Sequence, residues 1–186
     1  MRVITGSARG VRLLTPDGME TRPTSDKVKE ALFSIIQFEI EGRRALDLFA
    51  GTGQLGVEAL SRGAKSCVFV DERDEAVKLV QENLRRAKLA EAARVVRSDY
   101  LAYLGACREK FDLIFLDPPY AEVFLENSLR KISEIDILSP GGIIICERPT
   151  EKADLPRLTG YSYSRDYRYG KTFLTVCRRE SPREAL

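Results

Sequence analysis

Phe115-Leu116-Asp117-Pro118-Pro119-Tyr120 sets one carboxylate, two prolines and an aromatic ring at the end of an apolar run. The exocyclic amine of a guanine or adenine is a poor nucleophile, because its lone pair is delocalised into the ring. The Asp117 carboxylate and a carbonyl of the adjoining turn can accept both amino hydrogens, which favours a pyramidal nitrogen able to attack a methyl group. Pro118 and Pro119 fix φ and carry no N–H, so the direction of the turn carbonyls is preset. Tyr120 offers a stacking face for an unstacked base. On these residue types Asp117, Pro118, Pro119 and Tyr120 are the candidate catalytic group. The same tetrapeptide also serves as an ordinary strand-ending turn, so its surroundings decide between the two readings.

A second pattern lies upstream. Ala45-Leu46-Asp47-Leu48-Phe49-Ala50 reads as a buried strand, followed by Gly51-Thr52-Gly53-Gln54-Leu55-Gly56 and the helical run Val57 to Arg62, closed by Gly63. Glycines let the backbone approach a ligand closely, and the helix start offers free N–H groups. Cys67-Val68-Phe69-Val70-Asp71 is a second buried strand whose terminal acid, followed by Glu72, falls where a carboxylate binds ribose hydroxyls. A nucleoside-containing cofactor follows. The spacing of Gly51, Gly53 and Gly56 satisfies the dinucleotide fingerprint and leaves NAD open. The stretch Asp47 to Gly53 instead resembles the first motif of class I S-adenosylmethionine-dependent methyltransferases. Asp47 would repel a pyrophosphate and suits a cationic ligand.

The elements that must hold these motifs are legible as an α/β, Rossmann-like chain. A helix starting at Thr24 or Ser25 carries Val28, Leu32, Ile35 and Ile36 on one face. A second helix carries Val77, Val80, Leu84 and Ala87, and a third, after the Asp117 turn, carries Phe124, Leu125, Leu129 and Ile132. Further strands are Arg94 to Arg97, ending at Ser98-Asp99-Tyr100, and Ile143 to Glu147. The runs Tyr163 to Tyr169 and Phe173 to Cys177 form a hairpin joined at Gly170-Lys171. The expectation is a seven-stranded, mostly parallel sheet with helices on both faces and this C-terminal antiparallel hairpin. Residues 1–23 form a basic β-hairpin arm, with two short strands around Gly6 to Gly10, and residues 24–186 form the main domain. In an open sheet whose order reverses beside the first strand, the strand ending at Asp117 lies next to the one ending at Asp47, so both motifs share one crevice.

Composition narrows the chemistry. The 186 residues include 44% hydrophobic ones, enough for one sizeable core. There is no histidine, which removes Ser-His-Asp and Cys-His sites and most zinc catalysis. Cys67, Cys107, Cys146 and Cys177 form no C-x-x-C pair and read as reduced thiols. With no long apolar run, the expectation is a soluble, cytoplasmic monomer without metal. Net charge is only +2, yet residues 156–183 hold seven Lys or Arg against two acids, with Tyr161, Tyr163, Tyr167 and Tyr169 interleaved. That pattern fits a phosphate backbone with exposed bases, and fits a half-exposed strand equally well.

Arg9-Gly10, Arg22-Pro23-Thr24, Lys29-Glu30-Ala31-Leu32-Phe33, Leu46 to Gly63, Ser98-Asp99 and Asp117 to Tyr120 occur in an order that resembles the RsmD-type bacterial 16S ribosomal RNA guanine-N2 methyltransferases. The resemblance spans nearly the whole chain and departs at Ser34, where that family commonly has Asn. It implies S-adenosylmethionine as donor and one guanine of 16S rRNA on the small subunit as acceptor. It further implies a cofactor held by Asp47, Phe49, Ala50, Gly51, Thr52, Gly53, Asp71, Glu72, Ser98, Asp99, Tyr100 and Asp117, with Asp71 on ribose, Asp99 on adenine and the glycine loop on the methionine part. The expected RNA contacts are Arg9, Arg12, Arg22, Thr24, Tyr120, Arg165 and Arg168, with Arg9, Arg12, Arg165 and Arg168 taken from the basic residues at the two chain ends and Tyr120 from its stacking face. DNA adenine-N6 and protein glutamine methyltransferases share the Asp-Pro-Pro-Tyr motif and remain alternatives. So do an NAD-dependent oxidoreductase and a non-catalytic RNA-binding assembly factor.

Overall fold

A parallel sheet with apolar strands must be covered on both faces, and the computed structural model meets that requirement with two separate layers of helices. It describes residues 1–16, 23–119, 122–149, 155–164 and 166–180. In chain order the elements are α1 (Pro23–Ile35), β1 (Arg44–Asp47), α2 (Gln54–Ser61), β2 (Ser66–Asp71), α3 (Asp74–Ala87), β3 (Ala93–Arg97), α4 (Tyr100–Ala106), β4 (Phe111–Leu116), α5 (Glu122–Ile135), β5 (Leu138–Pro149), β6 (Tyr161–Tyr163), β7 (Tyr167–Tyr169) and β8 (Thr172–Arg179). The strand order is β3-β2-β1-β4-β5-β8-β6, with β7 also on β8. Strands β1 to β5 pair in parallel and β8 runs antiparallel to β5.

Alternation along the strands divides the core. Ala45, Phe69, Leu113, Phe115, Ile143 and Ile145 face α1, α2 and α3, whereas Leu46, Val68, Ile114, Leu116, Ile144 and Cys146 face α4 and α5. The order reverses between β1 and β4, and the two strands are neighbours in register, Asp47 opposite Phe115. The shared crevice expected of Asp47 and Asp117 follows from that pairing.

Two expectations need correction. The sheet has eight strands rather than seven, because the penultimate run is broken around Ser164. Ser164 N–H donates to Val176 O (2.8 Å), and its hydroxyl takes the place of a backbone carbonyl in accepting from Val176 N–H (3.0 Å). The register moves by one residue between Tyr163↔Cys177 and Tyr167↔Leu174. A one-residue shift sends side chains to the opposite face. Tyr161 and Tyr163 accordingly pack on the α4–α5 side, and Tyr167 and Tyr169 on the other.

The second correction concerns the N-terminal arm. It folds back as expected, with Val3 N–H on Val11 O (2.9 Å) and Leu13 N–H on Met1 O (3.2 Å), but makes a single bridge, Arg2↔Arg12, rather than two full strands. Buried side chains of α1, α2 and α3 bond the arm's remaining backbone groups and anchor it to the main body. Ile4 N–H and Thr5 N–H donate to Glu58 (2.8 and 3.0 Å), Lys29 Nζ donates to Arg2 O (2.6 Å), and the Asn83 amide bonds Leu14 through both its O and N. Val3, Ala8 and Leu13 are buried in the same core as α1 to α3. Among the described residues no helix is long and apolar enough to cross a membrane, and all four cysteines are buried and free.

Candidate active site

The glycine loop is built from the end of β1. Gly53 caps α2 at φ 77°, in the left-handed region that favours glycine, and its carbonyl receives the N–H of Val57 (2.9 Å). The helix therefore starts at Gln54, three residues ahead of the Val57 start expected from the apolar pattern. Gly56 is required for a different reason. A Cβ there would lie 2.3 Å from the Phe69 ring and 2.8 Å from Cys67 Sγ, so only glycine lets α2 sit this close to β2.

Asp47 lies behind the loop. Its carboxyl is 1% exposed and accepts from Gly56 N–H at 3.0 Å. Burial pushes it up to about 7, with Asp117 and Asp71 adding negative potential. It is thus the loop's anchor, with its charge beneath the crevice floor. Asp71, half-buried at the end of β2, accepts from Gly51 N–H (2.9 Å) and from the backbone and guanidinium of Arg73 (3.0 and 3.1 Å). Burial raises this carboxyl, but the Arg73 and Gly51 hydrogen bonds outweigh it and hold it below the usual carboxylate range. Glu72 is exposed beside it. Asp99 caps α4 by accepting from Ala102 N–H (2.9 Å). Ser98 N–H bonds Asp71 O (3.1 Å), tying the ends of β2 and β3 together. The Phe49 and Tyr100 rings pack at a tilt with centroids 5.2 Å apart and Phe124 meets both edge-on, forming an aromatic wall between β1, α4 and α5. Ala50 is buried, its N–H on Val70 O, and Thr52 O receives the Asn83 amide (2.9 Å).

Asp117 follows the last residue of β4 and lines a cleft with Val28 and Lys29 of α1, Gln54 and Leu55 of α2, and Glu147 of β5. Burial pushes Asp117 up to about 6. Pro118 is half-buried and Pro119 exposed. Arg9, Arg12 and Arg168 are exposed, the first two on the arm and the third on β7. Tyr120, Arg22 and Arg165 lie outside the described residues, as does the side chain of Thr24. The sequence pattern did not single out Lys29, Asn83 or Glu147 for the site. Glu147 carried the available signal, an acid closing an apolar strand in a fold whose strand ends face the crevice.

Strand order, a glycine loop after β1 and acids at the ends of β2 and β4 define the Rossmann-like methyltransferase fold. Residues 1–178 match the family described as Conserved hypothetical protein 95, and the chain belongs to it, the RsmD-type family its motifs resemble. YlbH of Bacillus subtilis (strain 168), provisionally named an rRNA methyltransferase, is 43% identical over 95% of this chain and 97% of its own. Ribosomal RNA small subunit methyltransferase D of Escherichia coli (strain K12) is 34% identical over 100% of this chain and 93% of its own. The solved structure of yhhF from Escherichia coli, provisionally described as a methyltransferase, superposes with a TM-score of 0.85 at 29% identity, covering 97% of this chain and 98% of that one.

Proposed function

We propose that the protein is an S-adenosylmethionine-dependent methyltransferase that modifies the exocyclic N2 of a guanine in small-subunit ribosomal RNA. The observation that carries this reading is the cleft in which Asp117 meets Gln54 and Leu55 at the start of the glycine-loop helix. It brings a nucleobase-amine acceptor within reach of a nucleoside-binding loop. The names of the relatives at 34% and 43% identity support ribosomal RNA as acceptor.

The residues suit the cofactor's chemistry. The loop bends away at Gly51 and Gly53, both at positive φ, and Gly53 provides no side chain to cap the helix start. The donor set consists of carboxylates and aromatic faces, which fit ribose hydroxyls, an adenine ring and a cation. Asp71 would hold the ribose by exchanging its Arg73 hydrogen bonds for hydroxyls. Asp99, Phe49 and Tyr100 would flank the adenine, and the Gly51 to Gly53 backbone the methionine part. Asp47 supplies negative potential from beneath the loop. S-adenosylmethionine, when bound, supplies an electrophilic methyl group. Asp117 accepts a hydrogen bond from the guanine amine, aims its lone pair, and stabilises the positive charge that grows on nitrogen. It then receives the proton that the methylated amine sheds.

Asp117→Ala should lower single-turnover methyl transfer into unmodified small subunits by about 10²-fold to 10³-fold, by analogy with loss of one preorganised hydrogen-bonding group. S-adenosylmethionine binding, followed by calorimetry, should be retained. Asp117→Asn keeps the size but presents a donor to the amine, and should be as damaging. Parent rates should fall as pH drops through about 6, where the Asp117 carboxylate is protonated. Normal transfer by both variants would remove the site and the reaction together.

A further inference from the structure

Strands β4 and β5 are parallel neighbours with Leu116 opposite Cys146, so one step further along Asp117 stands opposite Glu147, with both side chains on the same face. The two carboxyls line one cleft. Among the described residues that line this cleft the charged groups beside Glu147 are Asp117, just past β4, and Lys29 from α1, while Gln54 and Leu55 of α2 and Leu174, opposite on β8, bring no charge. Lys29 is 2% exposed and its ammonium is engaged by Arg2 O (2.6 Å) and Glu58 (3.7 Å), so it is committed to the arm. Two partly buried carboxylates lining one cleft cannot both ionise cheaply. The site therefore favours one charged and one neutral acid.

Resting on the guanine-N2 reading of this cleft, we propose that Glu147 is a second base-contacting residue, working as a neutral acid beside ionised Asp117 and reading the guanine edge next to the amine. The complementarity is atom for atom. Along that edge guanine presents N2–H, then the N1–H donor, then the O6 acceptor. A carboxylate takes the amine hydrogen, while a neutral carboxyl accepts from N1–H with its carbonyl and donates its own O–H to O6. Adenine presented amine-first offers only the N1 acceptor beside the amine, so one of those two bonds is lost. Burial pushes Glu147 up to about 8, and the negative charge on Asp117 adds to the rise. Because the reaction assigned to Asp117 needs its carboxylate, the proton that the pair retains falls on Glu147.

The test uses the full-length chain and unmodified small subunits. Glu147→Ala should slow single-turnover transfer roughly 10-fold to 100-fold, with S-adenosylmethionine affinity retained. Glu147→Gln, whose amide keeps one donor and one acceptor, should recover most of that loss near neutral pH. It should also lack the further alkaline decline of the parent, about 10-fold per pH unit above 8. Guanine's own ionisation is common to both proteins and cancels in the comparison. Carboxyl 13C NMR provides a readout independent of turnover. The Glu147 signal, identified by its absence in Glu147→Gln, should titrate near 8 and move lower in Asp117→Asn. A normal rate in Glu147→Ala, a Gln variant as slow as Ala, or a Glu147 carboxyl titrating near 4.5 would each overturn the assignment. If Asp117→Asn is inactive in the same assay, such a result removes only Glu147. Active Asp117→Asn would instead remove the guanine-N2 reading on which the assignment rests.

Discussion

Asp71 and Asp47 show how two acids twenty-four residues apart serve one loop by opposite electrostatics. Asp71 is held ionised by Arg73 and the Gly51 N–H, donors that the proposed cofactor site would exchange for ribose hydroxyls. Hydrogen bonds to a charged acceptor are worth about 1.5–3 kcal/mol each, so Asp71→Ala should weaken S-adenosylmethionine binding roughly 10-fold to 100-fold or more by calorimetry. Unchanged affinity would place the ribose elsewhere. Asp47 is strained in charge rather than in shape. Its carboxyl binds a proton more tightly in the folded protein, at about 7, than at the ordinary 3.8. That contribution to stability is fully present below 3.8 and is lost as pH rises through 7. Asp47→Asn can still accept from Gly56 N–H and escapes the cost of burying a charge. At pH 8 it should be more stable than the parent by something on the order of 1–4 kcal/mol in urea unfolding, with the gap shrinking at pH 5. An equal gap at both pH values would mean that Asp47 is not buried as a charge. The motif made Asp47 recognisable in the sequence, but its depth behind the loop was not, because burial depends on how close α2 approaches β2.

That approach is set at the level of elements by Gly56. Gly56→Ala would press a methyl group into the Phe69 ring, and overpacking of this kind costs about 1–3 kcal/mol. Phe69→Leu should destabilise on its own yet relieve part of the cost in the double variant, a coupling that a thermodynamic cycle measures. Strict additivity would place the strain elsewhere. Strand existence and the helix faces were legible from period and punctuation, since β1, β2 and β4 are built around the short apolar runs Ala45-Leu46, Cys67 to Val70 and Leu113 to Leu116. The arm was legible in part. Arg2 to Leu14 carries a hairpin's turn residues and folds back on itself, but the side chains that tie it down, Glu58, Ser61 and Asn83, are more than fifty positions away, and local pattern contains no record of them. The break at Ser164 was equally hidden, because it arises from a side chain substituting for a backbone carbonyl rather than from a glycine or proline.

For the whole molecule, a net charge of +2 does little to draw in a polyanion, so docking rests on where the charge lies. Arg9 and Arg12 project from the arm and Arg168 from the β7 edge, and the sequence adds Arg165 beside the latter. Replacing all four by Gln should weaken binding to small-subunit RNA and flatten its salt dependence by nearly one unit of slope for each phosphate no longer neutralised, with S-adenosylmethionine affinity barely changed. An unaltered slope would return them to solvated surface. The interleaved tyrosines, which suited RNA stacking and a half-exposed strand equally, are half-buried against the two faces of the sheet, and Tyr163 is tied to Pro156 O at 2.7 Å.

The position of β8 bears on how such a chain is made. Last of the described strands in chain order, it lies inside the sheet, between β5 and the β6–β7 segments. Until residues 172–179 have been synthesised, β5 presents a bare edge and β6 and β7 have nothing to pair with. A message truncated shortly before that point would therefore yield no slightly shortened enzyme. It would yield a nearly complete chain with an open, apolar strand edge, a substrate for chaperones and proteases and a seed for aggregation.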